Sequence, residues 1–150
     1  MKKLLFLLTF FIFSCEYSSN KSYIQDDASS NELTFIFELK TKTSTIDDIK
    51  SFTKYISELT SKTELQTRFG YYISEDYSKV TLIEVYKNSS DAIKAASDFI
   101  NGNDVTDFIN LFEIQSMIVI GNASKEYRKF AEENGFNVEY RESIGGFVKK

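Results

Sequence analysis

Glu84 stands in a mostly apolar run, Val80-Thr81-Leu82-Ile83-Glu84-Val85-Tyr86, and shares one alternating face with Val80, Leu82 and Tyr86. A carboxylate in such surroundings either has its pKa raised by desolvation or takes a partner such as Arg68 or a tyrosine hydroxyl. Glu84, Tyr86, Tyr71 and Arg68 are therefore the polar set from which a ligand pocket could be built. A raised carboxylate of this kind is how a general base for cofactor-free oxygenation of an acidic phenol would be made. The plainer reading is a structural carboxylate, hydrogen-bonded at a strand end or at a dimer seam, because structural pairs perturb pKa values too. That reading is preferred, and no residue is assigned a catalytic role. Tyr71, Tyr72 and Tyr86 read first as strand packing, since aromatics suit a pleated surface.

Much other chemistry is ruled out by residue type. The chain has no histidine and no tryptophan, and its one cysteine is Cys15. Without histidine there is no Cys-His or Ser-His-Asp arrangement, no haem ligation by histidine and no zinc site of the His and Cys kind. No GxGxxG or P-loop pattern marks a nucleotide site. Asp47-Asp48 reads as helix-start chemistry beside the N-terminal dipole rather than a metal site. No metal and no cofactor are expected.

The start of the chain speaks to location. Lys2 and Lys3 precede an apolar run from Leu4 to Phe13, broken only by Thr9, and then Ser14-Cys15. A basic n-region, a short apolar h-region and a small residue at a cleavage point describe a bacterial secretory signal, too short to cross a bilayer. Ile12-Phe13-Ser14-Cys15 resembles a lipobox, which implies cleavage before Cys15 and acylation of its thiol and new amino group. Residues 1–14 are expected to be a lipoprotein signal peptide. Residues 15–31, rich in Ser, Asn and Asp, bury too little apolar surface to fold and read as a tether. Residues 32–150 are then one domain by size. Without Lys2 and Lys3, the 18 basic residues fall to 16 against 22 acidic ones, a net of −6. Such a surface argues against nucleic acid. The expected location is the bacterial cell envelope, lipid-anchored to a membrane.

The elements that must position Glu84 follow from periodicity. Leu33, Phe35, Phe37 and Leu39 alternate as a strand. Thr45 and Asp48 resemble a capping box ahead of Ile46, Ile49, Phe52, Ile56 and Leu59, a helical stripe. Thr67 to Ile73 and Val80 to Tyr86 flank a polar turn as a hairpin. Ser89 or Ser90 is expected to cap a second helix through Ile100, and Asn103 a further turn or two with Phe108. Ile114 to Ile120 is a strand, Ser124 opens a helix closed by Asn134-Gly135, and Asn137 to Tyr140 is a short strand. The Gly145-Gly146 pair reads as a turn or strand irregularity. The order is β-α-β-β-α-β with an appended helix and strand, the α+β ferredoxin-like split βαβ arrangement: an antiparallel sheet with helices on one face.

Both faces of that sheet are apolar, because Ile36, Ile83 and Val85 point opposite to Phe35, Leu82 and Val80. Helices cover one face, and an antiparallel sheet normally leaves the other wet. An uncovered apolar face signals an interface, so a homodimer is expected, the alternative being cover by the appended helix and tail.

The run Gly70-Tyr71-Tyr72-Ile73-Ser74-Glu75-Asp76, then Val80 to Ser89, then Asp91-Ala92-Ile93, resembles the antibiotic-biosynthesis-monooxygenase-like domains. Glu84 and Tyr86 match that family's E-x-W/Y strand end, and Ala92 its small helical residue, while Ala96 stands where the family often has histidine. The resemblance implies a dimeric α+β barrel. The expected function is a membrane-anchored envelope lipoprotein that binds a small apolar or aromatic ligand, or a partner, without catalysis. The alternative is a cofactor-independent monooxygenase-like enzyme acting on a small aromatic substrate.

Overall fold

The computed structural model describes residues 31–42, 45–142 and 144. Cys15, the signal segment, the tether up to Ser30 and the Gly145 to Val148 tail lie outside the described residues. Among the described residues five strands and four helices follow in the order β1 (Leu33–Thr41), α1 (Ile46–Thr60), β2 (Gln66–Ile73), β3 (Lys79–Tyr86), α2 (Ser89–Ile100), α3 (Asp104–Leu111), β4 (Phe112–Ile120), α4 (Lys125–Glu133) and β5 (Val138–Arg141).

Local chemistry sets the element ends. The Thr45 side chain accepts from the Asp48 N–H while the Asp48 carboxylate accepts from the Thr45 N–H, so α1 opens on a complete capping box. The cap of α2 is Asn88 rather than either serine: its side-chain oxygen accepts from the Asp91 N–H at 2.9 Å. Ser89 is thereby released, and its hydroxyl accepts from the Ser124 N–H at 3.0 Å, joining the starts of α2 and α4. Asn103 precedes α3 without a side-chain capping bond. Ser124 caps α4, and Gly135 takes the left-handed φ of 71° just past that helix, where a side chain would be strained.

The strands lie in one sheet in the order β2-β3-β1-β4-β5. The first four pair with one another antiparallel, which is the ferredoxin-like α+β core. The appended β5 continues the sheet by running parallel to β4. The α4 crossover is the physical reason, since a helix between two paired strands brings the chain back in its original direction.

Helices pack on the face that carries Leu33, Phe35, Phe37 and Leu39 of β1. Two apolar clusters form there. One gathers Leu33, Phe35, Tyr86 and Val119 with Ala92 of α2 and Tyr127 and Ala131 of α4. The other gathers Leu39, Val80 and Leu82 with Ile49, Phe52 and Ile56 of α1 and Phe108 of α3. Phe37 touches both. The appended α4 thus joins the other helices instead of covering the opposite face. On that opposite face Ile83 and Ile118 flank Ile36 in register, all three partly exposed. Gly70 extends the row beside Ile83, and the Tyr72 side chain lies over it, its ring carbons 3.3 Å from where a Cβ would stand.

Candidate functional site

Glu84 sits at the middle of the helix-covered face. Its strand neighbours are Phe35 on β1 and Phe69 on β2, and on its own strand it lies between Leu82 of one cluster and Tyr86 of the other. The two helix groups do not close over this midpoint. A cavity of about 250 Å³ occupies the gap, floored by Glu84 and Phe37, walled by Phe69, Tyr71, Tyr86, Phe99, Phe108, Met117 and Tyr127, and roofed by Ile56, Ala92, Ala95 and Ala96. The small alanines of α2 leave the room that larger side chains would fill. Leu59, Thr63 and Ile114 stand at its exposed rim.

The polar geometry is a short relay. The Tyr86 hydroxyl donates to Glu84 Oε2 at 2.8 Å. Gln66 Nε2 donates to the Tyr86 oxygen at 3.2 Å, and the Thr63 hydroxyl has two acceptors for its one proton, Gln66 Oε1 at 3.0 Å and the Thr60 carbonyl at 2.9 Å. Burial among rings pushes the Glu84 carboxyl up to about 7, against the smaller opposing effect of the Tyr86 hydrogen bond. Tyr71 and Tyr86 are pushed far above the ordinary phenol range, first by burial and then by the Glu84 charge. Tyr127 rises through burial first, then Tyr140, and last the Glu84 charge. These phenols stay protonated at physiological pH, so Glu84 is the group in this constellation that titrates near neutrality.

Of the residues singled out in the sequence, Glu84, Tyr86 and Tyr71 meet in this cavity. Arg68 does not: it pairs with Val85 on the opposite face, is exposed, and reaches only the Tyr72 hydroxyl at 3.5 Å. Strand alternation is the reason, because residues three apart on β2 point to opposite faces. Among the described residues Glu84 therefore has Tyr86 as its partner, and no cation. Gln66 is a site residue that the sequence reading missed; its place at the start of β2, directly across from Tyr86, becomes visible only with the register. Among the described residues no group of three or more Cys, Asp or Glu is placed to hold a metal ion, and no helix is long and apolar enough to cross a membrane.

The fold is the ferredoxin-like α+β arrangement of the antibiotic-biosynthesis-monooxygenase-like proteins. Its likeness to solved structures is clear. MupZ from Pseudomonas fluorescens superposes with a TM-score of 0.66 at 16% identity, over 79% of this chain and 95% of that one. SnoaB, a cofactor-independent oxygenase from Streptomyces nogalater, gives 0.54 at 11% identity over 63% of this chain and 96% of that one. Rv0793 from Mycobacterium tuberculosis gives 0.52 at 11% identity over 63% and 97%. No protein-family model and no curated protein matches the sequence. At such identities the likeness establishes the fold, and function has to be argued from the site.

Proposed function

We propose that this chain is a membrane-anchored envelope lipoprotein whose domain binds a small apolar or aromatic ligand without catalysis, as a homodimer. The observation that carries the binding is the ring-lined cavity of about 250 Å³ with one carboxylate on its floor, the usual composition of a small-molecule site. The anchor rests on the lipobox-like Ile12-Phe13-Ser14-Cys15 behind its h-region. Two acyl chains at that cysteine would hold the protein firmly, at about 0.8 kcal/mol per buried methylene. The dimer rests on the uncovered Ile36, Ile83 and Ile118 row, which a second sheet would bury. A native mass measurement on envelope-extracted protein tests all three together. The expected mass is that of two chains lacking residues 1–14, with acyl groups and a retained small molecule. A monomer of unmodified chain with no retained molecule would defeat the proposal.

A second reading is favoured by one observation. Glu84 at about 7 lies where a general base works best at neutral pH, and SnoaB, similar in fold, is a cofactor-independent oxygenase. On this reading Glu84 takes the phenolic proton of a small aromatic substrate. Glu84→Gln would then fold normally and lose all turnover of such a substrate, whereas on the binding reading the wild type has none to lose.

A further inference from the structure

We infer that the cavity takes a small organic cation, an apolar body carrying one protonated amine, with the ammonium at Glu84 and the body among the rings. The inference deepens the binding reading above and rests on it.

Charge is the first argument. The lining carries the carboxylates of Glu84, Asp98 and Asp104 and no lysine or arginine. An organic anion would enter without a counter-charge, and above about pH 7, where Glu84 is ionised, a neutral body would leave its carboxylate uncompensated in apolar surroundings. A cation removes that penalty. Asp98 is already paired with Lys94 at 2.8 Å on the exposed side of α2, so Glu84 remains the deep carboxylate to which a ligand's charge would go.

The second argument is hydrogen-bond polarity. The Tyr86 hydroxyl is given to Glu84 Oε2 and in turn accepts from Gln66. Among the described residues no donor reaches the second Glu84 oxygen, and none reaches the hydroxyl oxygens of Tyr71 or Tyr127. The Glu84 charge acts on both of these phenols, so they share its surroundings. An ammonium has three donors and no acceptor; the second Glu84 oxygen, when ionised, is the acceptor-only atom it needs, and the two phenol oxygens can also accept while keeping protons of their own. The third argument is the wall itself. Phe35, Phe37, Phe69 and Tyr86 present ring surface, which attracts a desolvated cation through its quadrupole.

Every element packed around Glu84 bears on the pH dependence. β2 contributes Tyr71, its own strand Tyr86, α4 Tyr127, α2 Asp98 and α3 Asp104, while β1, β4 and α1 bring no titratable group to the lining. The phenols remain neutral, so protonation of Glu84 is what competes with the cation as pH falls below about 7.

The test is calorimetric titration of the full-length chain in detergent micelles, against empty micelles, with three probes of one shape: phenethylamine, phenethyl alcohol and phenylacetate. At pH 8 the amine is expected to bind at least about tenfold tighter than the alcohol, with the anion weakest. Between pH 7 and 5 the amine should weaken by up to about tenfold per pH unit while the alcohol holds steady. Glu84→Gln should erase the amine's advantage and leave the alcohol within about twofold, since the change is near-isosteric. If amine and alcohol bind alike, or phenylacetate binds as well as the amine, the charge inference falls and the cavity reading stands. If none of the three binds the wild type at millimolar concentration, both fall.

Discussion

Replacing Glu84 by glutamine is expected to stabilise the protein at pH 8 and to change its stability little near pH 4. The cause is the carboxyl's environment. In the folded chain it is raised from the ordinary 4.5 to about 7, a gap of about 2.5 pH units. At 1.36 kcal/mol for each unit, that amounts to on the order of 3 kcal/mol between its two protonation states. The sign follows from proton counting. Between about 4.5 and 7 the folded state holds a proton that the unfolded state has released, so stability falls as pH rises through this window. Below it both states are neutral at this site and the penalty is absent; above it the whole penalty is present. Glutamine cannot ionise, can still accept from the Tyr86 hydroxyl, and keeps the side-chain shape. The variant-minus-wild-type difference should therefore climb from pH 4.5 to 7 by on the order of 3 kcal/mol and then level off. Carboxyls held low elsewhere act with the opposite sign. Asp76, for example, is held at about 2 by hydrogen bonds from Ser74 and Ser78, but such groups are common to both proteins and cancel. The assay is urea unfolding followed by far-ultraviolet circular dichroism at four or five pH values, at one protein concentration because the proposed dimer would add to apparent stability. Equal m-values check that the unfolded states match. A difference that stays flat, or that falls with rising pH, would refute the reasoning. Glu84→Ala, measured near pH 4, should cost about 1–3 kcal/mol, since the Tyr86 hydroxyl loses its acceptor.

Four further outcomes are expected. Ile83→Glu, on the uncovered face, should sediment as a monomer with its fold retained, whereas Val80→Glu should unfold the chain because Val80 is core; a wild type already monomeric at micromolar concentration would sink the dimer. Cys15→Ala should move the protein from the detergent to the aqueous phase on partitioning, and a variant that stays in the membrane fraction with unchanged mass would end the lipoprotein reading. Gly121→Ala should cost about 1–3 kcal/mol or more in a thermal melt, because Gly121 has a φ of 113° and a Cβ there would lie 2.5 Å from the Glu32 carbonyl; an unchanged melt would contradict the packing. A chain beginning near Glu32 should keep the cooperative melt of the longer form, and a loss of several kcal/mol would mean that the preceding residues pack on the domain.

Sequence alone carried whatever is decided within a few residues. The alternation of Leu33, Phe35, Phe37 and Leu39, the Thr45 and Asp48 box, the Ser124 cap and the Asn134-Gly135 stop depend on neighbours along the chain, and each appears as expected. Alternation also held the answer for Arg68: its odd spacing from Tyr71 was enough to separate the two. Asn88 took the cap assigned to Ser89 or Ser90 because all three can cap a helix and one residue's difference is beyond the reach of pattern. The common face of Glu84 and Tyr86 was likewise readable, since both lie on one strand two residues apart.

Tertiary structure decided which face the helices take, and hence that Val80, Leu82 and Glu84 turn inward while Ile83 and Val85 lie on the other face. It placed α4 with the other helices and laid β5 parallel to β4. It also opened the cavity. Each apolar cluster is a stripe legible in its own helix, but the gap between them exists because two helix groups pack on one sheet, sharing Phe37 beneath and bridged by α2, whose Ala92 lies in one cluster and whose Phe99 packs on the other. A residue's periodicity says that it will be buried; how neighbouring helices share the sheet determines whether atoms or space will face it, and at Glu84 the answer was space.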